Sequence, residues 1–261
     1  MQLFVVGPPR SGLTIVTQFL NRHEDIKIFD EIDLEQVNRC DGSVVGTLAA
    51  FLLERGVYEA YRRCAQETAD PALALRAIMS EIAQPCTIWG EKNPRYAMRL
   101  DILRRTFPEA VLLFVLRDPR EVVNSYLLHR DLRVRTRMDF WIKDNVAEAL
   151  NLVDSCLEPL KAGDAELVVL RYEAFAALPR ATLDAAFDRW GLRFSDSVVP
   201  LVHSAPETVG DNQFFRDGAP LPWKVGNLSP LRQATVARDR IDADDPTWSQ
   251  VDALAGRFGY N

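Results

Sequence analysis

The sequence predicts a single α/β domain in which a central parallel β-sheet is flanked by helices, and three observations predict it. Short β-branched runs alternate with longer amphipathic stretches, as when strands buried on both faces are joined by crossover helices. Most of those runs end in a polar cluster: Pro9-Arg10-Ser11, Asp30-Glu31, Glu91-Lys92, Arg117-Asp118 and Arg171-Tyr172-Glu173. In an open parallel sheet the ligand crevice lies outside the carboxyl ends of the strands, so these clusters are expected to converge on one site. Finally, 261 residues with 48% hydrophobic and 26% charged side chains can bury one sizeable core, and no internal repeat divides them, so residues 1–261 read as one domain.

The strands are expected, in order, at Gln2 to Val6, Ile26 to Phe29, Cys86 to Trp89, Val111 to Leu116 and Glu166 to Leu170. Each is a short apolar run bounded by turn or charged residues. Helical patterns run between them: Gly12 to Arg22, a mostly helical block from Ser43 to Ala83, Tyr96 to Thr106, Arg120 to His129, and Met138 to Pro159. Pro179 to Trp190 also has helical spacing. From Ser204 to Trp223 Pro, Gly, Asp and Asn are frequent, as in a long loop that covers or binds a ligand. Its aromatics Phe214, Phe215 and Trp223 suit either an acceptor cover or packing onto the core. A helical pattern from Leu231 to Gly259 closes the domain.

The formal charge of −6 and a pI near 5.2 provide no global basic field for nucleic acid or an anionic membrane, so any anion must be held by a local basic pocket. The four cysteines, Cys40, Cys64, Cys86 and Cys156, and the three histidines, His23, His129 and His203, share no metal-ligand spacing. No metal is expected, and the cysteines read as reduced thiols. The apolar N-terminal run is too short for a signal segment and no later run is long enough to span a bilayer, which leads to the expectation of a cytoplasmic protein.

Gly7-Pro8-Pro9-Arg10-Ser11-Gly12-Leu13-Thr14 follows a strand, opens a helix and has the glycine spacing of a P-loop. Backbone N–H groups at such a helix start converge on an anion and are helped by the helix dipole. A nucleoside triphosphatase would place a lysine after the second glycine, where this chain has Leu13. The cation sits inside the loop instead, as Arg10, whose planar fork suits a tetrahedral oxyanion. The bland alternative is a Gly-rich turn with no ligand. A second strand-to-helix junction, Arg117-Asp118-Pro119-Arg120-Glu121-Val122-Val123-Asn124-Ser125-Tyr126, has proline in the first helical turn and Asp118 as its expected N-cap. Arg117 and Ser125 are candidates to hold a second anion. Alternatively Arg117 pairs with Asp118 while Ser125 faces solvent.

The two segments, in this order and about a hundred residues apart, resemble the cofactor motifs of the sulfotransferases that use 3′-phosphoadenosine 5′-phosphosulfate (PAPS). Gly-Pro-Pro-Arg-Ser-Gly-Leu-Thr resembles their 5′-phosphosulfate loop, and the Arg117 to Ser125 segment resembles their 3′-phosphate segment. Glu91-Lys92-Asn93-Pro94 is similar to the Lys-x-Pro element of bacterial and tyrosylprotein-type members. Val169-Leu170-Arg171-Tyr172-Glu173 resembles their Tyr-Glu strand end, and Trp223-Lys224-Val225-Gly226-Asn227-Leu228 their C-terminal cofactor loop. The chain departs from the pattern at Leu13, where a second hydroxyl is usual, and at Asn227, where some members have lysine.

The resemblance implies a P-loop-like fold and a sulfuryl transfer from PAPS that releases PAP, with no metal required. It implies cofactor contacts at Pro9, Arg10, Ser11, Gly12, Leu13, Thr14, Arg117, Ser125, Tyr172 and Lys224. Lys92 is implied beside the bridging oxygen and Glu31 as the general base; a histidine can also take such a proton, which makes His129 and His23 substitutes on residue type. Glu31 also lies in an acidic run that suits a solvated face, and Lys92 could instead pair with Glu91 or Asp118. The implied acceptor is a small molecule or a peptide. Two other readings stand beside this one: a P-loop kinase or ATPase with Asp118 as a magnesium ligand, and a non-catalytic nucleotide-binding protein.

Overall fold

The computed structural model describes residues 1–38, 41–128, 130, 143–194, 215–216, 219–220 and 239–261. Five parallel strands form the sheet: β1 (Leu3–Val6), β2 (Ile26–Asp30), β3 (Ile88–Lys92), β4 (Val111–Leu116) and β5 (Leu167–Arg171). Their order is β2-β3-β1-β4-β5. Among the described residues the α-helices of six residues or more are α1 (Leu13–Leu20), α2 (Gly46–Glu54), α3 (Tyr58–Thr68), α4 (Pro71–Ile82), α5 (Leu100–Thr106), α6 (Pro119–Leu128), α7 (Val146–Cys156), α8 (Tyr172–Ala177), α9 (Pro179–Phe187) and α10 (Trp248–Arg257). Phe215–Arg216 and Ala219–Pro220 pair as a small antiparallel ribbon.

The alternation of side chains along each strand divides the core between the two faces of the sheet. One face carries Phe4, Val6, Phe29, Trp89, Leu112 and Phe114 under α2 to α7 and α10. The other carries Leu3, Val5, Ile26, Ile28, Leu113 and Val115 under α1, α8 and α9. All six residues of β4, Val-Leu-Leu-Phe-Val-Leu, are buried, the uninterrupted run expected of a central parallel strand.

Local chemistry explains the boundaries. Asp70 caps α4 by accepting from the N–H groups of Ala72 and Leu73, with Pro71 in the first turn. Asn145 caps α7 through the N–H of Glu148 while its amide donates to the Glu148 carboxylate. The expected helical block from Ser43 to Ala83 divides into α2, α3 and α4, with Gly56 at φ 68° after the first and Ala69 at φ 52° after the second.

Four expectations shift. The third strand lies two residues later than its sequence suggests and contains Gly90, which reads as a breaker. A Cβ there would lie 1.8 Å from the carbonyl oxygen of Leu3, so the close approach of β3 to β1 demands glycine. Glu91 and Lys92 therefore belong to the strand itself. Tyr172 and Glu173 of the Arg171-Tyr172-Glu173 cluster do not stand in a loop but open a helix, α8, that runs to Ala177. The pattern from Met138 becomes helical, within the described residues, only at Val146. Of the closing pattern from Leu231 to Gly259, residues 231–238 lie outside the described residues; residues 239–247 form Asp-rich turns with Asp242 at φ 52° and Pro246, and the helix occupies Trp248–Arg257. Among the described residues no helix is long and apolar enough to cross a membrane.

Candidate active site

The chain leaves β1 toward β2 on one side of the sheet and leaves β4 toward β5 on the other. The carboxyl ends of β1 and β4 are thus adjacent at the point where the winding reverses, which is where a crevice opens in such a sheet. The Gly7–Gly12 loop and the Arg117 segment extend from those two ends.

In the first loop Pro9 and Ser11 are buried, and the Ser11 N–H donates to the Pro8 carbonyl at 3.1 Å. Arg10 is held in the left-handed region at φ 73°, a conformation a non-glycine residue keeps only when its surroundings impose it. Gly12, at φ 99°, lies under the Tyr172 ring, and a Cβ added there would approach that ring to 2.4 Å. Leu13 is packed into the apolar cluster beneath α1, which leaves its N–H as its available polar group, and Thr14 is half-buried beside it.

The second segment folds against the first. The Arg10 Nε donates to the Ser125 Oγ at 3.1 Å, and the Arg117 Nη1 donates to the Arg10 carbonyl at 3.2 Å. The Arg117 guanidinium lies 4.8 Å from the centre of the Tyr172 ring and pairs with Glu121 at 3.2 Å. Asp118 caps α6 through the Arg120 N–H and forms its ion pair with Arg120, so the alternative Arg117–Asp118 pair is not formed. Ser125 is buried against Arg10 and does not face solvent. Glu173 accepts from the Asp118 N–H at 2.9 Å and from the Tyr260 hydroxyl at 2.9 Å, which ties the segment to the residues after α10.

The electrostatics of this junction favour an anion. Burial, with the charge of Arg117 adding to it, pushes the Arg10 guanidinium down to about 10. The Ser11 Oγ, the Arg117 Nε and the Tyr126 hydroxyl are buried without a hydrogen-bond partner among the described residues, although such groups are normally satisfied. Those orphaned polar atoms and the glycine cradle under Tyr172 fit a polyanionic nucleotide bearing an aromatic base.

Lys92 ends β3 abreast of Val5 on β1. Its ammonium is buried between the carboxylates of Asp30 and Glu31, the latter at 2.5 Å. Burial alone would lower its pKa; the two carboxylates more than offset that and hold the lysine charged. Glu31 sits at φ 52° with its side chain 29% exposed, so the same carboxylate that touches Lys92 is open to solvent. Lys92 pairs with neither Glu91 nor Asp118. Glu91 points to the opposite face of the sheet, where it accepts from Asp33, Leu34, Asn93 and Tyr96. Nothing in the sequence near Glu91 announces those partners except the alternation of β3, which sends adjacent residues to opposite faces.

His23 lies at the amino end of β2, where its Nδ1 accepts from the Asp25 N–H and its ring packs on Phe194. That is the opposite end of β2 from Glu31, away from Lys92 and from the strand ends where a substitute base would have to lie. His129, Lys224, Asn227, Phe214 and Trp223 lie outside the described residues. Among the described residues no three His, Cys, Asp or Glu side chains are grouped to hold a metal ion.

Comparison with known proteins bears on the fold and the family. A region of the nodulation protein NoeE of Sinorhizobium fredii is 29% identical over 136 residues, which are 47% of this chain and 30% of that relative's length. The sulfotransferase domain from the Synechococcus PCC 7002 olefin synthase has a TM-score of 0.62 and 17% identity, over 100% of this chain and 95% of its own. The sulfotransferase domain from the curacin biosynthetic pathway gives 0.60 and 15%, over 99% and 97%. At these identities the two structures speak for the fold. The model of the sulfotransferase family matches residues 2–196, the stretch that holds the first loop, Lys92, the Arg117 segment and Tyr172, and by that match the chain belongs to the sulfotransferase family.

Proposed function

We propose that the chain transfers a sulfuryl group from PAPS to a hydroxyl of a small-molecule or peptide acceptor and releases PAP. The observation that carries this reading is the junction of two arginine-bearing loops through the Arg10–Ser125 and Arg117–Arg10 contacts, beside the buried Lys92 and its solvent-open partner Glu31. One loop has the form of a phosphate cradle, and the other supplies a second cation and hydroxyl within the same crevice. A donor with phosphates at both its 3′ and 5′ ends needs both.

In this reading Arg10 and the first-turn N–H groups of α1, with Pro9, Ser11, Gly12, Leu13 and Thr14 lining the loop, hold the 5′ phosphosulfate. Arg117 and Ser125 hold the 3′-phosphate, and Tyr172 takes the adenine side. Lys224 is a further phosphate contact by the family resemblance alone. PAPS supplies the activated sulfuryl group. Glu31 accepts the acceptor's hydroxyl proton as the new S–O bond forms, and the Lys92 ammonium offsets the negative charge that the breaking S–O bond leaves on the 5′-phosphate. Little covalent work falls to the protein, so positioning and charge stabilisation carry the rate, as in phosphoryl transfer. Asp30 keeps Lys92 compensated when Glu31 takes up the proton.

The test is incubation of the protein with sulfur-labelled PAPS and a panel of sugar, phenol, lipid, peptide and natural-product hydroxyls. Label transferred to an acceptor with one equivalent of PAP released supports the reading. Binding of PAP with no transfer to any member, and no release of PAP, would favour a non-catalytic nucleotide-binding protein.

A further inference from the structure

Glu31 does not hold its position by its own preference. The turn that carries it has two non-glycine residues in the left-handed region, Glu31 at φ 52° and Asp33 at φ 59°. Each such residue is strained and persists only where the surroundings over-determine it. The surroundings here are three consecutive residues at the end of β3. Glu91 accepts from the Asp33 N–H at 2.7 Å through Oε1 and from the Leu34 N–H at 2.9 Å through Oε2. The Lys92 carbonyl accepts from the Glu31 N–H at 3.0 Å. The Asn93 amide donates both to the Asp33 carboxylate at 2.8 Å and to the Glu91 Oε1 at 3.1 Å. Beneath them Ile32 and Leu34 are packed into the core.

Glu91 is itself fully buried, and its second oxygen meets the buried Tyr96 hydroxyl. A carboxyl group is expensive to bury, and one this deep is retained for what it holds. Its neighbour Lys92 projects from the opposite face of the same strand toward Glu31. One strand end thus fixes the backbone of the Glu31 turn from one face and meets the Glu31 side chain from the other.

We propose that Glu91 is a positioning residue for sulfuryl transfer: it clamps the Asp33 and Leu34 amides so that the Glu31 carboxylate is held against Lys92 and turned to the acceptor. This rests on the reading of Glu31 as the proton acceptor given above. Glu91 touches neither donor nor acceptor. Its loss therefore acts on turnover and leaves the nucleotide site between β1 and β4 intact.

The experiment compares the full chain with Glu91→Gln and, in case that variant fails to fold, with Asn93→Ser, which keeps a cap for Arg95 but removes the amide that bridges Glu91 and Asp33. PAP affinity is measured by calorimetry, and PAP release from PAPS is measured with water and with any acceptor found. The second oxygen of a carboxyl group can accept from Leu34 whether or not it carries a proton, whereas the NH2 group of glutamine only donates, so Leu34 loses its partner. The expected result for Glu91→Gln is a fall in kcat of about 10- to 100-fold, the scale of a misplaced catalytic group. PAP affinity should remain within about 2-fold, a split that general destabilisation would not produce. Asn93→Ser should lose less turnover with the same split. Wild-type kcat in the folded variants, or equal losses in kcat and PAP affinity, would overturn the proposal. A wild-type chain that binds no PAP would overturn the underlying reading as well, and that control tells the two failures apart.

Discussion

Replacing Arg117 with alanine removes four interactions that differ in their dependence on the nucleotide. Three are internal: the hydrogen bond to the Arg10 carbonyl, the ion pair with Glu121 and the stacking on Tyr172. The fourth is the proposed contact with the 3′-phosphate. A hydrogen bond between charged groups contributes about 1.5–3 kcal/mol, and the guanidinium side chain is only 15% exposed, so solvent screening takes little from it. At 1.4 kcal/mol per tenfold, PAP affinity should fall by roughly 10- to 150-fold. A nucleotide without the 3′-phosphate forfeits only the indirect part, the looser Arg10 loop and the lost support of Tyr172, at about 0.5–1 kcal/mol or roughly 2- to 5-fold. Calorimetric titration of wild type and Arg117→Ala with PAP and with adenosine 5′-phosphate measures both. Equal losses for the two ligands would refute the assignment of Arg117 to the 3′ end.

Three other outcomes follow from the same geometry. Glu31→Gln should lower kcat by about 10²- to 10⁴-fold, the range of general-base catalysis, with PAP binding unchanged; steady-state PAP release decides it, and an active variant removes Glu31 from the role. Gly12→Ala should abolish detectable PAP binding and lower the urea midpoint, because its Cβ meets the Tyr172 ring at 2.4 Å on a backbone at φ 99°. A variant that binds PAP normally would show that the cradle is not used. Burial pushes the Glu91 carboxyl up to about 8, whereas an unfolded glutamate titrates near 4.5, so between those values the native state keeps a proton that the unfolded state has lost. Stability should therefore fall as pH rises from 4.5 to 8, with this group contributing a slope of up to about 1.4 kcal/mol per pH unit. Glu91→Gln should flatten that slope in urea titrations; an unchanged slope would place its origin elsewhere.

The sheet was legible because its strands are the kind that sequence marks well. Val111 to Leu116 is a continuous apolar run, and the structure returns those boundaries unchanged. The third strand was displaced because Gly90 signals a break locally, and the reason for glycine, the Leu3 carbonyl, is supplied by a strand far away in the chain. At the site, Arg10, Arg117 and Tyr172 were each legible as members of strand-end clusters and Ser125 through its place in the segment that Arg117 opens, and the strand order brings them together. Their direct contacts were not legible: Arg10 meets Ser125 because β1 and β4 are neighbours in the sheet, which no local pattern states. The Glu91 clamp was missed for the same reason. Its partners Asp33 and Leu34 lie on the next strand's turn, and a glutamate beside a lysine reads most simply as a local ion pair. The acidic run that followed β2 suited a solvated face, yet Asp30 and Asp33 are buried because Lys92 and Asn93 pair with them.

Calorimetric titration of the purified protein with PAP, and with ATP plus magnesium, in identical salt decides whether the crevice takes a nucleotide phosphorylated at both its 3′ and 5′ ends. Tight PAP binding with weak ATP binding is the predicted result. Magnesium-dependent ATP binding stronger than PAP binding would contradict it and return the chain to a P-loop kinase reading.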